Sequence, residues 1–153
     1  MSYTNTAAQP GLGTVVAINT GTTVTPIWTT VGEITSVKQS GRKARTAEVT
    51  NLQSGAAEFI ATLVESGSFS IDGNRVATDA GQLAVETAFS ALTTKMFKAT
   101  LPKTPAQTVS GDSYAFSGVI EEYNPLAEIS GTSQIKYTCS VKVSNTYALT
   151  SGT

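Results

Sequence analysis

The acidic side chains are the groups in this sequence that could most readily carry chemistry. The only adjacent acidic pair is Glu121-Glu122. It falls in a predicted strand, where neighbouring side chains point to opposite faces, so the two carboxylates should not share a site. Asp72, Asn74 and Asp79 offer oxygen ligands, but the remaining ligands and the terminal Glu of an EF-hand loop are missing. Both patterns favour surface charges over a catalytic pair or a calcium site.

The sequence contains no His and one Cys, Cys139. One thiolate cannot supply a four-ligand zinc site, and a Ser-His or Cys-His nucleophile pair cannot form within the chain. Cys139 lies on the apolar face of a predicted strand, which is typical of a small buried hydrophobe. The glycines Gly11 and Gly13 are not followed by a helix, and no phosphate-binding loop is present. We therefore expect no enzyme, no cofactor and no metal.

The length and charge of the chain indicate one neutral domain. Its 153 residues include 10 Lys+Arg and 11 Asp+Glu, giving a net charge of −1. Charged residues make up 14%, against ~25% in an average domain. This is not the basic footprint of a dedicated nucleic-acid binder. No run approaches the ~18 apolar residues of a membrane helix, and we expect a soluble protein made in the cytoplasm.

Alternation of apolar and polar residues predicts a mainly β protein. Strands are expected at residues 14–18, 26–31, 33–38, 68–74, 96–101, 113–122 and 132–144. Residues 124–131 read as a turn. In the last strand, the side chains expected in the core are Ile135, Tyr137, Cys139, Val141 and Val143. About seven antiparallel strands with one apolar face predict a β-sandwich or rolled barrel.

One helix is predicted over residues 80–92, flanking the sheet. Asp79 can cap its first turn, and Gln82 follows three residues later, as in a capping box. The apolar stripe expected to pack on the sheet consists of Val85, Ala88, Phe89 and Leu92. Leu83 points toward the polar side, where it would be a natural contact in an assembly.

Three segments carry no clear period within the single domain 1–153. Residues 1–12 read as an N-terminal arm, 39–66 as a long early loop and 145–153 as a polar C-terminal tail. Ala47–Thr50 could be a brief strand in that loop, and residues 56–64 a helical turn or two. The loop carries Arg42, Lys43 and Arg45. It is either a solvated loop or a segment that binds a neighbouring subunit.

The order of these elements resembles the siphophage major tail tube proteins. The resemblance rests on WTTVGEITSV (28–37), AEVTNL (47–52), GSFSIDGN (67–74), DAGQ (79–82), FKATLP (97–102), YAFSGVI (114–120) and VKVS (141–144). It covers most of residues 13–144, and its specificity lies in the order and spacing of the phrases.

The resemblance implies a structural protein of the virion. Six copies would close into a ring, and rings would stack into a hollow tube through which DNA passes without sequence-specific binding. A tape-measure protein would fill the lumen during assembly, and tail completion proteins would bind the tube. The candidate assembly contacts are Arg42, Lys43, Arg45, Glu48, Asn51 and Leu83. Contractile-tail and secretion-system tubes share the fold and remain alternatives. Three other classes also remain alternatives: a head decoration protein, a β-sandwich adhesion or carbohydrate-binding module, and an enzyme that relies on carboxylates.

Overall fold

The computed structural model describes residues 8–153, and the first seven residues of the predicted N-terminal arm lie outside that range. Residues 8–153 contain one α-helix and ten β-strands. The strands are β1 (Val15–Asn19), β2 (Trp28–Thr30), β3 (Ile34–Ser40), β4 (Lys43–Glu48), β5 (Phe59–Glu65), β6 (Ser68–Asn74), β7 (Thr94–Thr100), β8 (Ser113–Glu128), β9 (Lys136–Val143) and β10 (Ala148–Thr150). The helix, α1 (Ala80–Ala91), lies between β6 and β7. The expectation of a mainly β fold with one helix is confirmed.

Eight of the strands form one antiparallel sheet in the order β2-β1-β7-β8-β9-β6-β3, with β10 pairing beside β8. The two end strands, β2 and β3, are joined by only three residues, so the sheet must roll until its ends meet at this connection. Two backbone hydrogen bonds hold the connection, from Val31 N to Val16 O (2.9 Å) and from Asn74 N to Glu33 O (2.9 Å). The remaining strands, β4 and β5, form a separate hairpin.

Aromatic rings fill the rolled sheet. Phe116 of β8 lies at the centre, with ring centroids 4.7 Å from Phe69, 5.6 Å from Phe97 and 4.9 Å from Tyr147. A second group joins α1 to the sheet, since the Tyr123 ring lies 6.4 Å from both Phe89 and Tyr137. Tilted and stacked pairs at these separations add to the stabilisation from burial.

The helix begins and ends where side chains and backbone can satisfy its terminal groups. Asp79 is the N-cap and accepts a hydrogen bond from Gln82 N, while Leu92 takes a left-handed conformation at the C-terminal end. The Gln82 side chain does not complete a capping box. It accepts from Val76 N (3.0 Å) and donates to Gly32 O (3.1 Å) and Asn74 O (3.0 Å), which ties α1 to the β2–β3 connection.

The apolar stripe on α1 is only partly as predicted. Val85 and Ala88 are buried, but Leu92 is 76% exposed because the chain turns away at the C-cap. With twelve residues, this helix is too short to cross a membrane, and it is the only helix within residues 8–153.

The sequence prediction misplaced four segments. The long loop 39–66 is mostly the β4–β5 hairpin, and the helical turn expected at 56–64 is strand β5. β8 continues through the predicted turn to Glu128, because register shifts let it keep pairing with β9. Ile135 precedes β9 and is 41% exposed, so it is not a core residue. The C-terminal tail includes β10, and the count of about seven strands was too low.

Candidate assembly surfaces

Half of the rolled sheet has two open edges. β7 pairs with residues 113–119 of β8, whereas β9 pairs with residues 118–128. Residues 120–128 therefore belong to a four-stranded sheet in the order β8-β9-β6-β3. Within residues 8–153, neither residues 120–128 on their far side nor β3 on its far side has a strand partner. Such edges present unpaired N–H and C=O groups that can bind another strand.

The outward face of this four-stranded sheet carries short polar and charged side chains. Two rows cross all four strands, one of Ser36, Asp72, Thr138 and Asn124, and the other of Lys38, Ser70, Ser140 and Glu122. Hydrogen bonds connect Asn124 to Thr138 (3.2 Å) and Ser140 to Glu121 (3.2 Å). No large apolar side chain lies in these two rows.

Glu121 and Glu122 both reach this outward face, contrary to the prediction from strand alternation. The register of β8 against β9 shifts between Ile120 and Glu122, which inserts Glu121 as an extra residue. Glu121 Oε1 accepts from Ser140, and Glu122 Oε1 accepts from Asn124 Nδ2 (2.6 Å). A bulge reorients side chains in this way, and the sequence pattern alone does not reveal it. Both carboxylates are exposed and engaged with polar neighbours.

The β4–β5 hairpin projects from the rolled sheet with its apolar side chains uncovered. Phe59 and Leu63 are each 61% exposed, and Leu52 at the tip is fully exposed. Ile60 and Val64 add to the exposed apolar surface. A lone two-stranded hairpin is only marginally stable in water. Its exposed apolar side chains are therefore candidates for contact with another protein surface.

The predicted basic cluster is engaged within its own chain. Lys43 Nζ lies 3.4 Å from Glu65 Oε2, and the Arg45 guanidinium pairs with Glu65 Oε1. The hydrogen bond from Arg45 holds the pKa of Glu65 below its usual value. The Arg42 guanidinium lies over the Tyr147 ring, 5.5 Å from its centroid. That these cations also contact acidic groups of a neighbour stays a prediction.

The other predicted contact residues fall in two places. Glu48 accepts from the Thr50 hydroxyl (2.9 Å), and Asn51 Oδ1 accepts from Gln53 N (2.8 Å) to shape the hairpin tip. Leu83 is on the outer side of α1, 46% exposed, away from the hairpin. Five of the six candidates thus lie on or at the base of one hairpin, and Leu83 does not.

Residues 8–153 contain no arrangement suited to metal chemistry or to a reactive thiol. No group of three or more His, Cys, Asp or Glu side chains there could hold a metal ion. Asp79, one of the considered calcium ligands, instead caps α1 and accepts from Gly32 N (3.2 Å). Cys139 is 3% exposed, and burial raises its thiol pKa to about 12, so little reactive thiolate forms at neutral pH.

Sequence reasoning missed the open edges and most of the apolar hairpin. Edges depend on which strands pair, and that information is spread over distant segments. The hairpin had a local signal, since the run Phe59-Ile60-Ala61-Thr62-Leu63-Val64 is rich in β-branched and aromatic residues. Both of its faces carry apolar side chains, which hid the alternation of an ordinary half-buried strand.

No protein-family model matches the chain, and no curated protein has a significant sequence match. Solved structures do match its fold. One is a chain in the tail of an empty GTA particle with C6 symmetry, at TM-score 0.70 and 18% identity, covering 94% of this chain and 100% of that one.

Two further matches come from the anti-feeding prophage and from an extracellular contractile injection system. A chain in the anti-feeding prophage cap, described as a tube terminating cap, gives TM-score 0.69 at 10% identity and covers 99% of this chain and 97% of that chain. A chain in the PVC sheath-tube complex of an extracellular contractile injection system gives 0.68 at 10% identity, with 95% and 93% covered. The chain therefore has the fold of proteins that build tails and tubes of phage-like particles.

Proposed function

We propose that this protein is a structural tube subunit, the major tail tube protein of a phage tail, and not an enzyme. The observation that carries the proposal is the four-stranded sheet with both edges open. One copy can join the next when β3 of the first pairs with residues 120–128 of β8 of the second. Repeated around an axis, this single heterologous contact closes a ring and leaves neither of these two edges free.

Ring size and orientation follow from sheet geometry. With six copies, as the C6 symmetry of the GTA tail suggests, the four strands of each subunit would form a barrel of roughly two dozen strands. Strand spacing makes such a barrel about 40 Å across at the backbone. The rest of six subunits cannot fit inside it, so β1, β2, β7 and α1 must lie outside. The Ser/Thr-rich outward face of the four-stranded sheet would then line the lumen.

The chemistry of that face suits a channel. Its short polar side chains give a passing chain little apolar surface to adhere to. Its cations, Lys38, Lys136 and Lys142, are balanced by Asp72, Glu121, Glu122 and Glu128 on the same face, and Lys136 pairs with Glu128 at 3.5 Å. A strongly basic lumen would instead bind DNA phosphates and slow their movement. DNA would pass without sequence recognition, and a tape-measure protein would occupy the same space during assembly.

Stacking of rings would cover the β4–β5 hairpin. The exposed side chains of Phe59, Leu63 and Leu52 need an apolar partner surface. In a stack of identical rings, the neighbouring ring presents the same surface to the hairpin at every step. Tail completion proteins would bind the same surfaces at the two ends of the tube. The location in the virion follows from this role.

A tube of a contractile injection or secretion system is the second candidate. It is favoured by the matches to chains of the anti-feeding prophage and the PVC sheath-tube complex. Both candidates predict the same ring and differ in the cargo and in the presence of a sheath around the tube. An adhesion or carbohydrate-binding module would need aromatic side chains grouped on the surface, whereas Phe69, Phe97 and Phe116 fill the core.

Crosslinking tests the proposed ring contact. Single cysteines at Ser36 and at Glu122 place one thiol at each open edge, and a short bis-maleimide should join the double variant into a ladder that ends at six subunits. A variant with cysteines at Ser36 and Thr87, which lies on the outer side of α1, is the matched control and should give no ladder. Negative-stain microscopy should show rings or tubes. A monomer without a ladder at any concentration would overturn the proposal.

A further inference from the structure

Two facing glycines separate the β4–β5 hairpin from the rolled sheet. The β3–β6 ladder ends with Ser40 opposite Ser68, and the β4–β5 ladder starts with Lys43 opposite Glu65. Between them lie Gly41 (φ 77°) and Gly67 (φ 69°), both in the left-handed region that favours glycine. A Cβ on Gly67 would lie 1.9 Å from Ser40 O, and one on Gly41 would lie 3.3 Å from Gly67 Cα. The close contact of the two strands at this point therefore requires that Gly67 lacks a side chain, and the positive φ of Gly41 favours glycine there as well.

Beyond the glycines, few non-covalent contacts hold the hairpin to the rest of the protein. The hydrogen bonds and ion pairs of residues 43–65 all stay within the hairpin among the described residues. An open cleft of about 700 Å³ separates its base from residues 142–146. A cation–π contact bridges the junction, since the Arg42 guanidinium lies over the ring of the buried Tyr147. Cation–π contacts of this length are attractive.

We propose that Gly41 and Gly67 form a joint between the hairpin and the rolled sheet, and that Arg42 is a positioning residue that fixes the direction of the hairpin by binding the Tyr147 ring. Arg42 then acts within its own subunit rather than on an acidic group of a neighbour. The inference does not depend on the proposed tube function, because it concerns the direction of the hairpin in a single subunit.

Distances between spin labels measure that direction. Labels are attached to cysteines at Gln53 on the hairpin tip and at Ser90 on α1, both exposed, while the buried Cys139 stays unlabelled. Labelled protein is diluted with unlabelled protein so that only distances within one subunit are seen. Arg42→Gln should broaden the distance distribution about twofold, whereas Arg42→Lys, which keeps a cation over the ring, should leave it narrow.

The joint has its own pair of variants. Gly41→Ala should move the centre of the distribution, because alanine disfavours the positive φ at this position. Gly55→Ala is the matched control within the same hairpin, since a Cβ there meets nothing within 4 Å, and it should change nothing. An unchanged width in Arg42→Gln would overturn the positioning role, even if Gly41→Ala fails to fold. An unchanged centre in a folded Gly41→Ala would overturn the joint.

Discussion

The Tyr137 hydroxyl donates a hydrogen bond to the backbone carbonyl of Gly32, 105 residues earlier in the chain, at 3.2 Å. Gly32 lies in the short connection where the two ends of the rolled sheet meet. The Asp79 carboxylate accepts from Gly32 N, and the Gln82 amide donates to Gly32 O. Three side chains from two distant elements, β9 and α1 with its N-cap, therefore hold one connection, which fixes where the sheet closes.

Removing the Tyr137 hydroxyl should cost stability, whereas removing that of Tyr123 should not. Tyr137→Phe loses a hydrogen bond and should lower the free energy of unfolding by about 1 kcal/mol. The Tyr123 hydroxyl is buried with no hydrogen-bond partner among the described residues, so Tyr123→Phe should be neutral or stabilising. Urea unfolding of both variants measures the difference. Equal losses would mean that the bond to Gly32 contributes nothing.

The two faces of β9 should respond oppositely to a carboxylate. Val141 is fully buried, so Val141→Asp should cost several kcal/mol, on the order of a whole domain's ~5–15 kcal/mol, and folded protein should be lost. Thr138 lies on the outward face opposite Asp72, so Thr138→Asp adds only a like-charge contact of under about 1 kcal/mol. Yield and thermal melting report both. A Thr138→Asp variant as unstable as Val141→Asp would place a buried surface on both faces.

The success of sequence reasoning differed between neighbouring segments for physical reasons. β6 was predicted at its observed bounds because Phe69 and Ile71 alternate with Ser68, Ser70 and Asp72, and one face is buried. β5 was missed because both of its faces are apolar and uncovered in the single chain.

Bulges caused the remaining errors in the sequence prediction of the outward face. The inserted Glu121 and the shift between Asn124 and Glu128 depend on pairing with β9, and no local pattern encodes that pairing. The basic residues Arg42, Lys43 and Arg45 were singled out from their charges, and their role as assembly contacts stays a prediction. The open edges could not be found, because they are a property of the whole sheet.

The protein should lose stability at alkaline pH, starting near pH 9. Burial raises the pKa of Cys139 from 9.0 to about 12 and raises the pKa values of Tyr123, Tyr137 and Tyr147 above 10.0. Above pH 9 the unfolded chain releases protons that the folded chain retains, so the free energy of unfolding falls as the pH rises. Urea unfolding between pH 7 and 11 measures the slope.

Cys139→Ala identifies the first group in that titration. Without the thiol, the loss of stability should begin nearer pH 10, where the tyrosines of the unfolded chain ionise. The variant will be less stable at every pH because it leaves a small cavity, so the onset and not the absolute value is compared. An onset that stays near pH 9 would show that another group controls it.

The exposed apolar residues of the hairpin should matter for assembly and not for folding. Phe59→Ser combined with Leu63→Ser should leave the melting temperature of the subunit nearly unchanged, because both side chains are mostly exposed. Tubes should be absent, because the surface expected to be covered by the next ring has been removed. Electron microscopy and melting curves decide the outcome, and Val109→Ser, an exposed apolar residue in a separate loop, is the control.

Hydrogen exchange should show that assembly protects the hairpin more than the core. In isolated subunits, amides of β4 and β5 should exchange quickly, because their ladder is fully exposed and packs on no core. Amides of β9, which pairs on both sides, should be slow in either state. In tubes, β4, β5 and the edge strand β3 should become protected together. If assembly protects β3 but not the hairpin, the result supports ring closure through the strand edges and leaves the stacking role of the hairpin without support. Equal exchange in subunits and tubes would contradict both the ring contact and the stacking contact.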